Sequence, residues 1–323
     1  MRYSGIGGQA VMEGVMMRNG NDYAVAVRKP DQEIVVDVKK YKGPDQESKW
    51  KKIPLVRGVI SFVDSLVLGM STLMYSATFF EEEEEEPAAL TEEEQKKQEK
   101  KKEREEKVFM TGTMIFSIVL AVAIFMMLPY FLSALLQRVI PSQTIISIIE
   151  GALRIAIFIV YILLISRMED IQRTFMYHGA EHKCINCIEH GLELNVENVR
   201  KSSKEHKRCG TSFLMYVIII SVILFLFIRM ESHVLRLVVR LLLIPVIAGI
   251  SYEFIRLAGR SDNKFVNLLS KPGLMMQRLT TKEPTDDMIE VGIASVEAVF
   301  DWRAYQAKVR AEDPDGFGEG NEP

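Results

Sequence analysis

The chain has 323 residues, enough for one or two domains with a sizeable core. Its 40 Lys and Arg nearly cancel its 43 Asp and Glu, and the formal charge of −3 excludes a basic nucleic-acid binder. Three cysteines exclude a disulfide scaffold, and residues 1–52 carry neither an apolar core of signal-peptide length nor a small-residue cleavage site.

Residues 1–52 read as a cytoplasmic β meander of three antiparallel strands. Alternation runs through Ala10–Arg18, Tyr23–Arg28 and Glu33–Tyr41, with turns at 19–22 and 29–32. The preceding Gly5-Ile6-Gly7-Gly8-Gln9-Ala10 is too glycine-rich for a strand interior. It reads as a tight turn, or as a place where backbone comes close to a helix or ligand, with Gln9 a candidate polar contact. Glu13 sits inside an apolar run and needs a partner if its side chain turns inward.

Residues 53–80 are apolar and long enough to span a bilayer, yet they contain Arg57 and Asp64. The segment before them is rich in Lys and Arg, whose translocation is disfavoured. An interfacial or re-entrant helix is expected, with Arg57 and Asp64 turned to protein or water. Residues 81–107 form a charged linker: six consecutive glutamates, expected to be disordered, then mixed Glu and Lys at helical spacing after Thr91.

Four apolar segments follow within 108–258: Val108–Leu136, Thr144–Ser166, Phe213–Ile228 and Val234–Ala258. About 20 helical residues cross the ~30 Å hydrocarbon layer. The first is long enough to tilt or bend at Pro129, and the fourth carries Pro245. The short loops at 137–143 and 229–233 hold one arginine each, whereas loop 167–212 and the tail after Gly259 are basic. This asymmetry puts both termini and the middle loop in the cytoplasm and the protein in the plasma (inner) membrane. Glu150 and Arg154, one turn apart, read as a self-paired couple; Arg236 and Arg240 near the outer end of the fourth segment can snorkel or meet Glu150. Within 259–311, Ser261–Arg278 reads as a helix along the membrane surface. After an acidic start at 280–287, a second helix presents the stripe Met288, Ile289, Ile293, Val296 and Phe300. Residues 312–323 read as a disordered tail.

Loop 167–212 holds four of the five histidines and all three cysteines. Its His178-Gly-Ala-Glu181-His182 has the form H-x-x-E-H, which on a helix aligns both imidazoles and the carboxylate on one face. Two imidazoles one turn apart can hold a divalent metal such as zinc, and Glu181 beside them can serve as general base. The helical periodicity of the second segment continues through Ile171, Phe175, His178, His182 and Ile185 and stops near His190-Gly191. A third ligand must come from elsewhere: His206 and Cys209, spaced H-x-x-C, are nearest in sequence, and Glu253 is nearest by topology. Cys184-x-x-Cys187 lacks a second CxxC and reads as buried packing. The start of the third segment, Cys209-Gly210-Thr211-Ser212, with Arg208 adjacent, can bind an anion, lower the Cys209 pKa, or simply use Thr211 or Ser212 as a cap. A nucleophilic pair of Cys209 with His206 or His182 is a further enzymatic option.

GGQAVMEGVMMR at 7–18, PLVRG at 54–58, YHGAEHK at 177–183, RCGTSF at 208–213 and LTTKEPTDDMIEVGIAS at 279–295 resemble the YqhQ-like family of bacterial membrane proteins. The resemblance implies a multi-pass membrane location, and the family carries the label of predicted metal-dependent enzymes. The H-x-x-E-H order also occurs in inverzincin metalloproteases, a likeness confined to five residues. The expected fold is therefore mainly α and integral to the membrane, with four transmembrane helices, a small antiparallel β unit and cytoplasmic helices. The expected function is metal-dependent hydrolysis at a cytoplasm-facing site, with the lipid bilayer as partner. A non-enzymatic scaffold or biogenesis factor, its polar cluster a hydrogen-bond network, is the alternative. A transporter ranks last, because the span centres are aliphatic.

Overall fold

A computed structural model describes residues 2–41, 49–80, 92–228, 230, 232–261 and 263–312. The acidic run 81–86 and the tail 313–323 lie outside them. The chain forms two compact units, residues 81–161 and the remainder.

The larger unit opens with a four-stranded antiparallel sheet, β1 (Gly7–Val11), β2 (Gly14–Asn19), β3 (Asp22–Arg28) and β4 (Ile34–Lys40), in the order β1-β2-β3-β4. Three strands were expected. The run Ala10–Arg18 is broken by a turn at Met12-Glu13, where Val11 pairs with Gly14 and Glu13 adopts φ 47°. The glycine-rich stretch is itself the edge strand β1, because Gly8 lies where a Cβ would come within 2.8 Å of the Glu181 side chain and 2.7 Å of the Met16 carbonyl. Side chains alternate across a sheet, and each face has its own partner here. Val15, Met17 and Ala26 join the core built on α5 (Glu169–Glu189) and α11 (Asp286–Val299). Val11, Met16, Val25 and Val27 pack with Leu68 of α1 (Val56–Ala77).

Around this sandwich lie α6 (Val196–Lys201), α7 (Gly210–Phe227), α8 (His233–Leu242), α9 (Ile244–Ala258), α10 (Lys264–Thr280) and α12 (Trp302–Glu312). The fourth apolar segment breaks at Leu243, and Pro245 sits in the first turn of α9. The α11 stripe docks as expected, with Met288, Ile289 and Val296 buried in the core. Gly58 of α1 crosses Gly249 of α9 so closely that a Cβ at Gly58 would come 2.9 Å from the Gly249 Cα.

The smaller unit contains α2 (Glu92–Val122), α3 (Leu128–Leu136) and most of α4 (Gln143–Ile165). A π turn at Ala123–Met127 leads into α3, whose first turn contains Pro129; lacking an N–H, the proline cannot continue the α-helical ladder. Glu150 and Arg154 pair at 3.0 Å, both buried. The helix does not run on unbroken from α4 into the histidine motif: a turn at 166–168 separates α4 from α5, which restarts with Glu169 and Asp170 in its first turn.

Among the described residues five helical stretches are long and apolar enough to cross a membrane: Val56–Ala77, Val108–Leu136, Gln143–Ile165, Gly210–Phe227 and Val234–Ala258. Large apolar side chains such as Phe116, Val119, Leu135, Leu164 and Phe227 stand exposed along them. Apolar surface on this scale needs an apolar solvent. The chain is a membrane protein.

Candidate functional site

Helix α5 places His178 and His182 one turn apart, their ring centroids 4.4 Å from each other. Cys209 occupies the N-cap of α7, where its sulfur accepts the Thr211 N–H at 3.4 Å, so the cap is Cys209 and not Thr211 or Ser212. The Thr211 hydroxyl lies 3.1 Å from the same sulfur. One ligand atom from each of His178, His182 and Cys209 lies within 4.8 Å of the others, and among the described residues this is the grouping of metal-binding type.

The orientation of the rings decides what they can do. His178 Nδ1 is 2.9 Å from the Thr280 carbonyl, and His182 Nδ1 is 2.6 Å from the Lys204 carbonyl. A carbonyl only accepts, so each Nδ1 carries the proton and donates it. Each Nε2 is left to face the same space: that of His178 is 3.2 Å from Cys209 Sγ, and both are 3.8 Å from Glu181 Oε2. His182 and Glu181 are buried, and His178 is half-buried.

Burial opposes charge on His178 and Cys209, but their mutual attraction overrides it. The imidazole is pushed up to about 9 and the thiol is held well below its usual value, with His182 adding to the effect on the thiol. That attraction favours a thiolate beside a protonated imidazole.

The second ring of contacts fixes the irregular segment 202–209. Lys183 Nζ donates to the Arg200 and Ser202 carbonyls at 2.8 and 2.9 Å, and Asn186 Nδ2 to those of Ser203 and Glu205 at 2.6 and 3.0 Å. From α10, the fully buried Gln277 donates to the His206 carbonyl at 2.6 Å and to Ser212 Oγ at 2.7 Å, and accepts the His206 N–H at 2.8 Å. Sequence reasoning did not single out Lys183, Asn186 or Gln277.

Of the other candidates, His206 lies beside the trio, with its ring 5.5 Å from that of His182, but its Nε2 accepts from Arg208 at 3.1 Å and stands 3.8 Å from Glu189. Burial lowers its pKa. Glu253 is directed elsewhere: both its carboxylate oxygens take Arg57 of α1. Cys209 has both imidazoles of α5 beside it: His178 Nε2 at 3.2 Å, and His182 within the same 4.8 Å grouping. Glu13 finds its partner in Arg173 and also accepts the Tyr177 hydroxyl at 3.3 Å. Gln9 packs its amide against Gly69 of α1, where a Cβ would meet it at 2.3 Å. Cys184 and Cys187 are buried in the core, where desolvation raises both thiols, Cys187 to about 12.

Arg208 pairs with the fully buried Glu189, which also accepts Ser4 N–H at 2.8 Å and Ser4 Oγ–H at 2.7 Å. Burial alone would raise the Glu189 carboxyl, but His206, Arg208 and Ser4 hold it at about 2, against an ordinary 4.5. A depressed carboxylate contributes stability that is fully present above the unfolded value and lost as pH falls through the folded one. Acid unfolding of the wild type is thus expected to lose about 3 kcal/mol from this group between roughly pH 4.5 and 2. Glu189→Gln removes that slope, and equal acid slopes for the two proteins overturn the assignment.

The family described as protein of unknown function, DUF1385, matches residues 53–302. The uncharacterized protein YqhQ of Bacillus subtilis (strain 168) is 36% identical over 290 residues, covering 90% of each chain. No solved structure matches. With a family match over most of the chain and a relative similar along nearly its full length, the chain belongs to the DUF1385 family.

Proposed function

We propose that this is a four-span protein of the inner membrane whose cytoplasmic body holds a divalent metal, zinc by donor chemistry, for hydrolysis of a peptide-like or lipid-linked bond. The single observation that carries it is the pair of Nδ1–carbonyl hydrogen bonds, which leave both Nε2 atoms aimed at the space beside the Cys209 sulfur. Two imidazoles and a thiolate suit zinc, and backbone carbonyls on the far ring nitrogens are the outer contacts that orient such ligands. A zinc held by His178, His182 and Cys209 would supply Lewis acidity, polarising a carbonyl and acidifying a water. Glu181 accepts the proton of the attacking water and delivers it to the leaving group. Thr280, Lys204 and Thr211 hold the three ligands in place.

Connectivity supports four crossings with both termini cytoplasmic. The sheet packs on α5 and α11, which follow the second and fourth apolar segments. The two apolar segments between α5 and α11 carry the chain out and back, which keeps both helices and the sheet on one side. Helix α1, held to the sheet through Gly69 with Gln9 and Ser76 with Met12, stays on that side.

Metal analysis of the purified protein tests the site. The wild type is expected to carry about one metal per chain and His178→Ala/His182→Ala only background; equal content in both rejects it. The 3.2 Å contact of His178 Nε2 with Cys209 also favours a second reading, a nucleophilic thiolate with His178 as its proton partner. Metal-free wild type in which Cys209 is alkylated rapidly at neutral pH selects that reading.

A further inference from the structure

Two helices of the larger unit are amphipathic the wrong way round for water. On α1 the buried positions are Gly58, Asp64, Leu68, Gly69, Thr72 and Ser76, whereas Val63, Leu66, Val67 and Leu73 are exposed. On α10 the buried face carries Ser270, Gly273, Gln277 and Thr280 together with Val266 and Met276, and the exposed one Phe265, Leu268, Leu269 and Met275. A buried face that is mostly small and polar, against an outer face of large apolar side chains, is the pattern of a helix whose outer face meets hydrocarbon.

Neither helix fits a crossing. The inner face of α1 is covered by the sheet along its second half: Gln9 fills the space over Gly69, the Met12 N–H donates to Ser76 Oγ at 3.0 Å, and Lys39 lies 3.9 Å over the Tyr75 ring. Were α1 to span the bilayer, it would take Asp37, Lys39 and the rest of β4 with it, at roughly 2.5 to 3.5 kcal/mol for each charge at mid-depth. Helix α10 follows the end of α9 after only the residues 259–263, so it starts at the membrane surface. Along it Lys264, Lys271 and Arg278 recur every seven residues, two turns apart, and form an exposed basic row beside the apolar stripe. Arg278 is engaged by Glu205 at 3.0 Å, which leaves the two lysines as the row's outward charges.

We propose that α1 and α10 lie in the plane of the inner leaflet, their apolar stripes among the upper acyl chains, and that Lys264 and Lys271 take the phosphates of anionic lipids. This surface rests on the four-span topology and not on the metal. Its bearing on the site is direct, because Thr280, the last residue of α10, supplies the carbonyl that orients His178.

The test uses the full chain in vesicles of phosphatidylcholine and phosphatidylglycerol, with a bimane label on Val67→Cys or Leu268→Cys. Both positions are exposed, and wild type treated with the same label supplies the background from Cys184, Cys187 and Cys209. Quenching by lipid spin-labelled near the headgroup, well above that by lipid labelled at the chain end or by aqueous iodide, is expected at both sites. Strongest quenching by chain-end labels at Val67→Cys means that α1 crosses, strong iodide quenching means that the face meets water, and label-to-label contact between copies means a dimer surface; each overturns the proposal. Lys264→Gln and Lys271→Gln are each expected to lower phosphatidylglycerol enrichment around the protein about fivefold, and unchanged enrichment overturns the anionic-lipid part. Metal content is read in the same samples, so failure of the metal site and failure of the leaflet surface are told apart.

Discussion

Gly179→Ala is expected to disable the site and destabilise the larger unit together. A Cβ at Gly179 would come within 2.0 Å of the Lys282 carbonyl oxygen. That atom is backbone, in a segment tied to α5 by the Lys282 N–H to the Phe175 carbonyl at 2.9 Å, so no side chain can swing clear. The segment has to move by more than an ångström. Overpacking of this kind costs on the order of 1–3 kcal/mol or more. Lys282 is two residues from Thr280, so the acceptor of His178 moves with it, and loss of such an outer contact weakens metal binding by roughly 10- to 100-fold. Thermal unfolding and metal titration of the variant check both effects. Gly112→Ala is the control: a Cβ there meets nothing within 4 Å, and a helix-interior alanine stabilises by roughly 0.5–1 kcal/mol. Should Gly179→Ala behave like Gly112→Ala, the close packing of the 280–284 segment on α5 is wrong.

Glu181→Gln is expected to have the largest effect on activity while leaving the metal in place. The carboxylate is within 4 Å of both Nε2 atoms but outside the His178–His182–Cys209 trio, and an amide of the same shape keeps the packing against Gly8 while losing the ability to take a proton. Loss of a general base lowers turnover by roughly 10²- to 10⁴-fold. The measurement is restoration of the phenotype of cells lacking the protein, with abundance and metal content determined alongside. Full restoration at wild-type abundance rules out Glu181 as base and leaves the non-enzymatic network reading.

The apolar helices were legible because their signal is local: twenty consecutive residues carry it, and no partner is needed to read it. His178, Glu181 and His182 were legible for the same reason, since one helical turn fixes their common face. Residues that meet only through the tertiary fold gave no such signal. Cys209 was one of several candidates in sequence, and only the fold brings the first turn of α7 beside α5; Glu253 was another, and only the crossing of α1 and α9 delivers Arg57 to it. Strand β1 was hidden by its two glycines, of which Gly8 lets it run over Glu181. Gln277 left no trace at all, because an amide on a half-polar helix is ordinary in sequence and exceptional only once buried.

Segment 202–209 has no regular secondary structure, yet the carbonyls of Ser202, Ser203, Lys204, Glu205 and His206 each accept from a side chain of α5 or α10. Such a stretch behaves as a casting rather than a hinge: its shape is set by rigid neighbours before any reactant arrives. The wall beside His182 and Cys209 is therefore preformed, and any ligand the site takes would have to enter by a displacement of something other than this wall.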